Sequence, residues 1–425
     1  MNSFEKIFEE VDNLSKDKVM DIMTKLIGVD TTVPPGNTYR KYVDLISPYF
    51  RDMGYELKEV VMPEELVKQI PYPLEGQRVN LVATKDYGQK SYVCFYGHMD
   101  VVPAPNDGEK KWRYPPFEAT LTKAGKIFGR GTSDMKGAMV CLILALEIID
   151  KLKLTPKYNI RVMNCTDEEI GTYPGVLYLE EQGYVKDIVF CMEGIIIPII
   201  AVGAAGSVNI VVETIGRSCH SGSNFMGTNA LEEMVPIMVE LLKLKKEVEK
   251  RESVDIPGIR PSDSGERMKM SPMFNLDIIR SGEKENIVPD LCTLIINRRY
   301  IPDENYEDVI QEIKGAVNRG KALSKALDVK ITIKKDYPAF KNDANSPANL
   351  RIKKVMSLVQ GVSENEIKVI GSSGSTDMGF LTDYDVLIHG NSSVVSNSHG
   401  VNEVIKFQDI LTYIKEIIVF LCADF

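Results

Sequence analysis

The chain has 425 residues, 44% apolar and 26% charged, the composition of a soluble globular protein too long for one ordinary core, so two domains are expected. A formal net charge of −9 leaves no basic excess to neutralise phosphates, which argues against a nucleic-acid or anionic-membrane partner and for a small substrate. The longest apolar stretches, Met139 to Leu146 and Ile195 to Val202, fall far short of the roughly 20 residues a membrane-spanning helix needs.

The N-terminal stretch MNSFEKIFEEVDNLSKDKVMDIM carries acids throughout and reads as one amphipathic helix rather than a signal peptide, so the cytoplasm is the expected compartment. From about residue 80, short β-rich runs alternate with helical stretches: NLVAT, YVCFYG, a long helix after Asp134, NIRVMNC and DIVFCME. This alternation predicts an α/β fold, a mixed sheet with helices on both faces. The helix from Met139 to Leu146 is apolar all round and is expected to be buried against that sheet. Around GAAG at 203–206 the pattern changes to strand, helix, two strands, helix and strand (VNIVVETI, Leu231 to Arg251, MFNLDIIR, LCTLIINRRYI, a helix, VKITIKK), an order that suggests an independent smaller domain. After Tyr337 short α/β pieces return, ending in a helix near Gln408 to Leu421, so residues 1–205 and 337–425 are read as one discontinuous domain with 206–336 inserted. Glu252 to Ser271, with two prolines and mixed charge, reads as an exposed loop. Seven cysteines without Cys-x-x-Cys, in contexts such as YVCFY and MVCLI, are expected to be buried reduced thiols.

Among four histidines, His98 (YGHMDVVP) and His399 (SNSHGVNE) sit beside other metal-type ligands. Asp100, two residues after His98, is placed to receive the other ring N–H and fix the imidazole, although a structural histidine gives the same local pattern. Asp134 lies in GRGTSDMKG, where the glycines permit a tight turn; a helix N-cap is the alternative. Asp167, Glu168, Glu169 and Glu193 directly follow β-runs, where α/β sheets bind ligands, with surface charge as the bland alternative for any one of them. Together these residues form a mixed nitrogen and oxygen donor set that suits zinc, cobalt or manganese better than calcium. No phosphate loop, His-Glu-x-x-His or Gly-x-Ser-x-Gly occurs, and Cys219 and His220, as strand neighbours, should point to opposite faces, so water is the expected nucleophile.

The segments GHMDVVP (97–103), GRGTSDMKG (129–137), TDEEIG (166–171), CMEG (191–194), GRSCHSG (216–222), ENIVPD (285–290) and HGVNE (399–403) resemble, in this order, the M20 metallopeptidase family, which includes acetylornithine deacetylase, succinyl-diaminopimelate desuccinylase, aminoacylase and glutamate carboxypeptidase. The resemblance implies a zinc-peptidase-like catalytic domain and an inserted α+β, ferredoxin-like dimerisation or lid domain, hence a homodimer. It implies two divalent metal ions, zinc first and cobalt or manganese next, bridged by Asp134, with His98 and Glu193 completing one site and Glu169 and His399 the other. Glu168 is then the general base, Asp100 the partner of His98, and His220 an oxyanion donor reaching the partner subunit's site. Asn286 and Arg299 match substrate-contacting positions, with Arg298 an adjacent rival. Asn297 stands where many members have aspartate, and Val401 where proline is common. The expected activity is hydrolysis of an N-acyl amino acid by metal-activated water. Cleavage of short peptides by a carboxypeptidase or dipeptidase, and a non-enzymatic metal-binding role, are the alternatives; Glu168 and His220 speak against the last, because pure binding needs neither.

Overall fold

A computed structural model describes residues 3–105, 111–261, 267–393 and 396–425. The chain divides into two compact units, one of Met1–Val202, Asn342–Val369 and Leu381–Phe425, the other of Gly203–Lys341 with Ile370–Phe380.

The first unit is built on six strands in the order Glu56–Val61, Val79–Lys85, Asn159–Cys165, Tyr92–His98, Ile188–Cys191, Asp385–Ile388. The first two pairings are antiparallel and the remaining three parallel, so the sheet is mixed. Strands covered on both faces read as unbroken apolar runs instead of alternating ones, and Tyr92–His98 is buried from Val93 onward. The helix Lys136–Lys151 is buried without a break from Lys136 to Leu146, which is why its sequence shows no polar face. It packs on the Tyr92–His98 strand and on the C-terminal helix Phe407–Cys422. Because four strands run parallel, the residues that follow them converge on one edge of the sheet, where such folds bind ligands.

The second unit is an antiparallel sheet in the order Met273–Ser281, Leu291–Tyr300, Gly206–Ile215, Asp328–Tyr337, with helices Ala230–Val248 and Tyr306–Lys321. The first and third strands in the chain lie at the centre, the ferredoxin-like arrangement. Val208, Ile210, Val212, Leu294 and Ile296 from the sheet pack against Met234, Ile237, Leu241, Val309 and Ile313 from the helices. Ile370–Phe380 falls in the stretch that the sequence pattern gave to the first domain, yet it clusters here. Ala205 N–H donates to Ser372 O at 3.0 Å and Arg299 reaches Ser375, long-range ties that no local pattern encodes.

Two local expectations change. The N-terminal helix is two helices, Ser3–Asp12 and Lys16–Ile27, because Ser15 accepts the Lys18 N–H at 3.2 Å and starts the second as its N-cap. The stretch from Glu252 to Ser271 contains an antiparallel pair, Pro257–Pro261 with Arg267–Lys269, beside buried Ile256 and Met270. Its prolines stand at the two ends of the first strand, where a missing N–H is tolerated. Residues 262–266 of that stretch lie outside the described residues.

Candidate metal centre

His98 is the last residue of its strand and is almost fully buried. Its Nδ1 lies 3.0 Å from the backbone carbonyl of Asp100, whereas the Asp100 carboxylate stands 3.8 Å away. A carbonyl can only accept, so Nδ1 carries a proton, and Nε2 is the ring nitrogen that faces Asp134. Asp100 therefore meets His98 through its backbone, while its carboxylate accepts the Glu169 N–H at 2.9 Å. Sequence spacing identified the partner residue but not the accepting atom.

Asp134 ends the glycine-rich turn before the helix Lys136–Lys151. The cap position of that helix is Met135, which makes no side-chain cap bond, so Asp134 is not spent on capping. One carboxylate oxygen lies 3.3 Å from His98 Nε2 and the other 3.2 Å from His399 Nε2. His399 Nε2 is also 3.0 Å from Glu169. Asp167 adopts a left-handed conformation (φ +63°), which aspartate tolerates better than most residues, and this turns the chain at the end of Asn159–Cys165 into the short 3₁₀ segment Glu168–Ile170.

Ligand atoms of His98, Glu168 and Glu169 lie within 4.8 Å of one another, and so do those of Asp134, Glu169 and His399. Among the described residues Glu193 belongs to neither group. It stands at the same sheet edge, just after Met192, whose N–H donates to Tyr96 O at 3.1 Å.

The electrostatics fit cations. The Asp134 and Glu169 hydrogen bonds push the His399 imidazole up to about 10. Burial opposes charge on His98, but the Asp134 hydrogen bond and the Asp100 and Glu168 carboxylates still hold it well above its ordinary value. Desolvation works against the Asp134 carboxylate as well, yet His399 and His98 hold it well below the usual range. Burial raises Asp100 and Glu169. Four acids thus share one edge with two imidazoles, and a mixed nitrogen and oxygen donor set with surplus negative charge suits a borderline divalent ion.

His220, Asn286 and Arg299 belong to the second unit. His220 is exposed, and its Nδ1 accepts the Gly222 N–H at 3.0 Å, so in the neutral ring the proton sits on Nε2, which points away as a donor. Asn286 lies next to it, its carbonyl accepting the Ser221 N–H at 3.0 Å. The Cys219 thiol faces Ser223 O, which leaves no dyad with His220. Alternation along Leu291–Tyr300 separates the two candidate arginines. Arg298 is fully buried with Nη2 on Glu304 at 2.5 Å, while Arg299 faces the other side, with Nη1 on Ser375 Oγ at 2.6 Å and Nε on Asn297 at 3.2 Å. His389 is buried against Glu416 at 2.8 Å and is structural.

Sequence reasoning gave no role to two buried arginines. Arg78 pairs with Asp167 at 3.2 Å and donates to the Pro35 carbonyl at 2.6 Å; Arg130 pairs with Glu403 at 2.7 Å. The available signal was an arginine or acid inside or beside a ligand-bearing turn, which composition alone reads as surface charge.

Residues 94–421 match Peptidase family M20/M25/M40. The chain is 29% identical, over 79% of its length and 84% of the relative's, to a probable succinyl-diaminopimelate desuccinylase of Staphylococcus aureus strain MSSA476. It is 25% identical, over 96% of its length and 95% of the relative's, to N-formyl-4-amino-5-aminomethyl-2-methylpyrimidine deformylase of Bacillus subtilis strain 168. Its fold is similar to that of a di-peptidase from Saccharomyces cerevisiae (TM-score 0.78, 17% identity, 98% of each chain). A metallo-carboxypeptidase from Sulfolobus solfataricus is also similar (TM-score 0.75, 18% identity, 96% of this chain and 98% of that one). With a profile match over most of its length and acids and histidines gathered at the sheet edge, the chain belongs to Peptidase family M20/M25/M40 and is a metal-dependent hydrolase of linear amides.

Proposed function

We propose that the protein hydrolyses the amide bond of an N-acylated amino acid, with two zinc ions as its cofactor. The observation that carries this reading is Asp134, whose two carboxylate oxygens face two different histidines, as a bridging ligand requires. His98 and Glu193 on one side of it and Glu169 and His399 on the other are assigned as the remaining ligands. When bound, such ions lower the pKa of water and polarise a carbonyl oxygen. Glu168, at the same edge as His98 and Glu169, takes the proton from the attacking water and returns it to the leaving amine. Asp100 fixes the His98 tautomer through its carbonyl and holds the Glu169 backbone through its carboxylate. Arg299 and Asn286 are assigned to the substrate, Arg299 because its planar fork pairs a carboxylate in bidentate fashion. The desuccinylase and deformylase relatives, both named for removing an acyl group, support the N-acyl choice over a peptide.

A panel of N-acetylornithine, N-succinyl-diaminopimelate, other N-acyl amino acids and dipeptides tests this with zinc-loaded and chelator-treated protein. Zinc-dependent release of an acyl group is expected, and chelation should abolish it. Cleavage of dipeptides alone would replace the deacylase reading with a peptidase one.

The functional form is a homodimer in which His220 of the partner subunit stabilises the oxyanion. The surface of Ala230–Val248 supports this: Leu231, Val235, Val239 and Leu242 form a stripe, each between 40% and 53% exposed. Four apolar side chains on one outward helix face mark a surface to be covered. Val235→Asp with Val239→Asp is expected to give a folded monomer by light scattering that has lost turnover. A fully active monomer would remove His220 from the mechanism. A cytoplasmic location belongs to the same reading, supported by seven free cysteines, five of them buried and Cys219 and Cys422 half-buried. Among the described residues no helix is long and apolar enough to cross a membrane.

A further inference from the structure

Three ligand-bearing turns meet at the sheet edge: the one after His98, the one carrying Asp134, and the one carrying His399. Glu403 is fully buried where they cross. One of its carboxylate oxygens accepts the N–H groups of Ser133 (2.8 Å) and Asp134 (3.1 Å) and the Ser133 hydroxyl (3.3 Å). The other accepts the Gly131 N–H (3.0 Å) and Arg130 Nη1 (2.7 Å). Arg130 Nη2 in turn donates to the carbonyls of Pro103 (3.3 Å), Gly400 (3.2 Å) and His399 (3.5 Å), and its guanidinium lies 5.2 Å from the Trp112 ring centre. The Gly129 N–H donates to the Glu403 carbonyl at 3.1 Å, closing the contact from the backbone side. A carboxylate has about four lone-pair positions, and all are occupied here.

We propose that Glu403 and Arg130 form a clamp that sets the distance between Asp134 and His399 and so creates the second metal position. The two histidines differ in how they are held. His98 ends a strand paired on both sides, so its place is fixed by the sheet. His399 sits on a turn in a left-handed conformation (φ +63°), with its side chain half exposed, and Arg130 holds its carbonyl. Loosening the clamp therefore frees the His399 side and leaves the His98 side in place. Both residues position the ligands and touch neither substrate nor ion.

The inference rests on the two-ion reading above, and metal binding tests the two separately. Zinc uptake by the full-length protein, measured by equilibrium dialysis against a competing chelator, is compared for wild type, Glu403→Gln and Arg130→Lys. A glutamine offers one acceptor oxygen and turns an NH₂ toward N–H donors, so it breaks one side of the clamp. Arg130→Lys keeps the charge opposite Glu403 but loses the fork that reaches three carbonyls, and it decides the matter if Glu403→Gln does not fold. Wild type should bind two ions; each folded variant should keep one at wild-type affinity and bind the second about 10- to 100-fold more weakly. In cobalt-substituted protein only the second equivalent should change its visible absorption. Folded variants that bind both ions as wild type does, or weaken both equally, would overturn the clamp. Fewer than two ions on the wild type would overturn the two-ion reading, and the clamp with it.

Discussion

Glu168→Gln is expected to keep its metal and lose its activity: kcat should fall by roughly 100- to 10,000-fold, the range a positioned general base supplies. Glutamine preserves the shape of the side chain and one oxygen, so the buried 3₁₀ segment Glu168–Ile170 that carries it should stay intact. What it removes is a group that can accept a proton from water and give it back to an amine. Metal content by elemental analysis and steady-state rates on the best substrate of the panel check the two halves separately. Full activity would transfer the base role elsewhere; loss of metal together with activity would make Glu168 a ligand, as its closeness to His98 and Glu169 also permits.

The largest expected effect on stability belongs to Arg78. Its side chain and that of Asp167 are fully buried, and Tyr39 donates to the second Asp167 oxygen at 2.8 Å. The guanidinium also caps the carbonyls of Pro35 (2.6 Å), Gly76 (3.1 Å), Gly36 (3.4 Å) and Glu75, tying two loops to the residue before Glu168 and Glu169. Arg78→Met removes the counter-charge and strands Asp167, a change that typically costs about 3–5 kcal/mol. The sign with pH follows from the carboxyl itself. Burial, only partly offset by Arg78, already raises Asp167 to about 6, above its unfolded value of about 4. The folded state therefore binds more protons than the unfolded state between those values, and this group's contribution falls as pH rises through 6. Without Arg78 the folded pKa must rise further, and a protonated Asp167 needs no counter-charge. The variant's deficit in urea unfolding should thus be largest near pH 8 and smaller near pH 5. An equal deficit at both would locate the damage in the loops rather than in the stranded charge.

The sheet edge was legible from the sequence because chemistry and position coincide there. His98, Asp134, Glu168, Glu169 and His399 are ionisable residues at the ends of apolar runs or in glycine-marked turns, and both patterns are local. Three kinds of information were not local. Arg298 and Arg299 cannot be told apart until the phase of strand Leu291–Tyr300 is known, since a shift of one residue exchanges their faces. The Asp100 contact depends on which of its oxygens turns toward the ring, a rotamer and backbone matter that residue type does not encode. Arg130 and Glu403 lie 273 residues apart, so their pairing exists only once the chain has folded. The break at Ser15 is a different case: a serine capping signal was present, but a continuous amphipathic pattern masked it.

The interruption of the first unit between Val202 and Asn342 also dictates an order of assembly. During synthesis His98, Asp134 and Glu169 emerge well before His399. Until the strand Asp385–Ile388 arrives, Ile188–Cys191 is a sheet edge with unpaired N–H and C=O groups and four buried-type side chains. Such an edge is sticky toward other strands. The second unit, by contrast, draws most of its strands from one continuous stretch and can close around its own core first. The nascent chain therefore carries an incomplete, adhesive α/β half while the core between Val208 and Val317 can already pack, and His399 joins Asp134 and Glu169 only after the insert has been made.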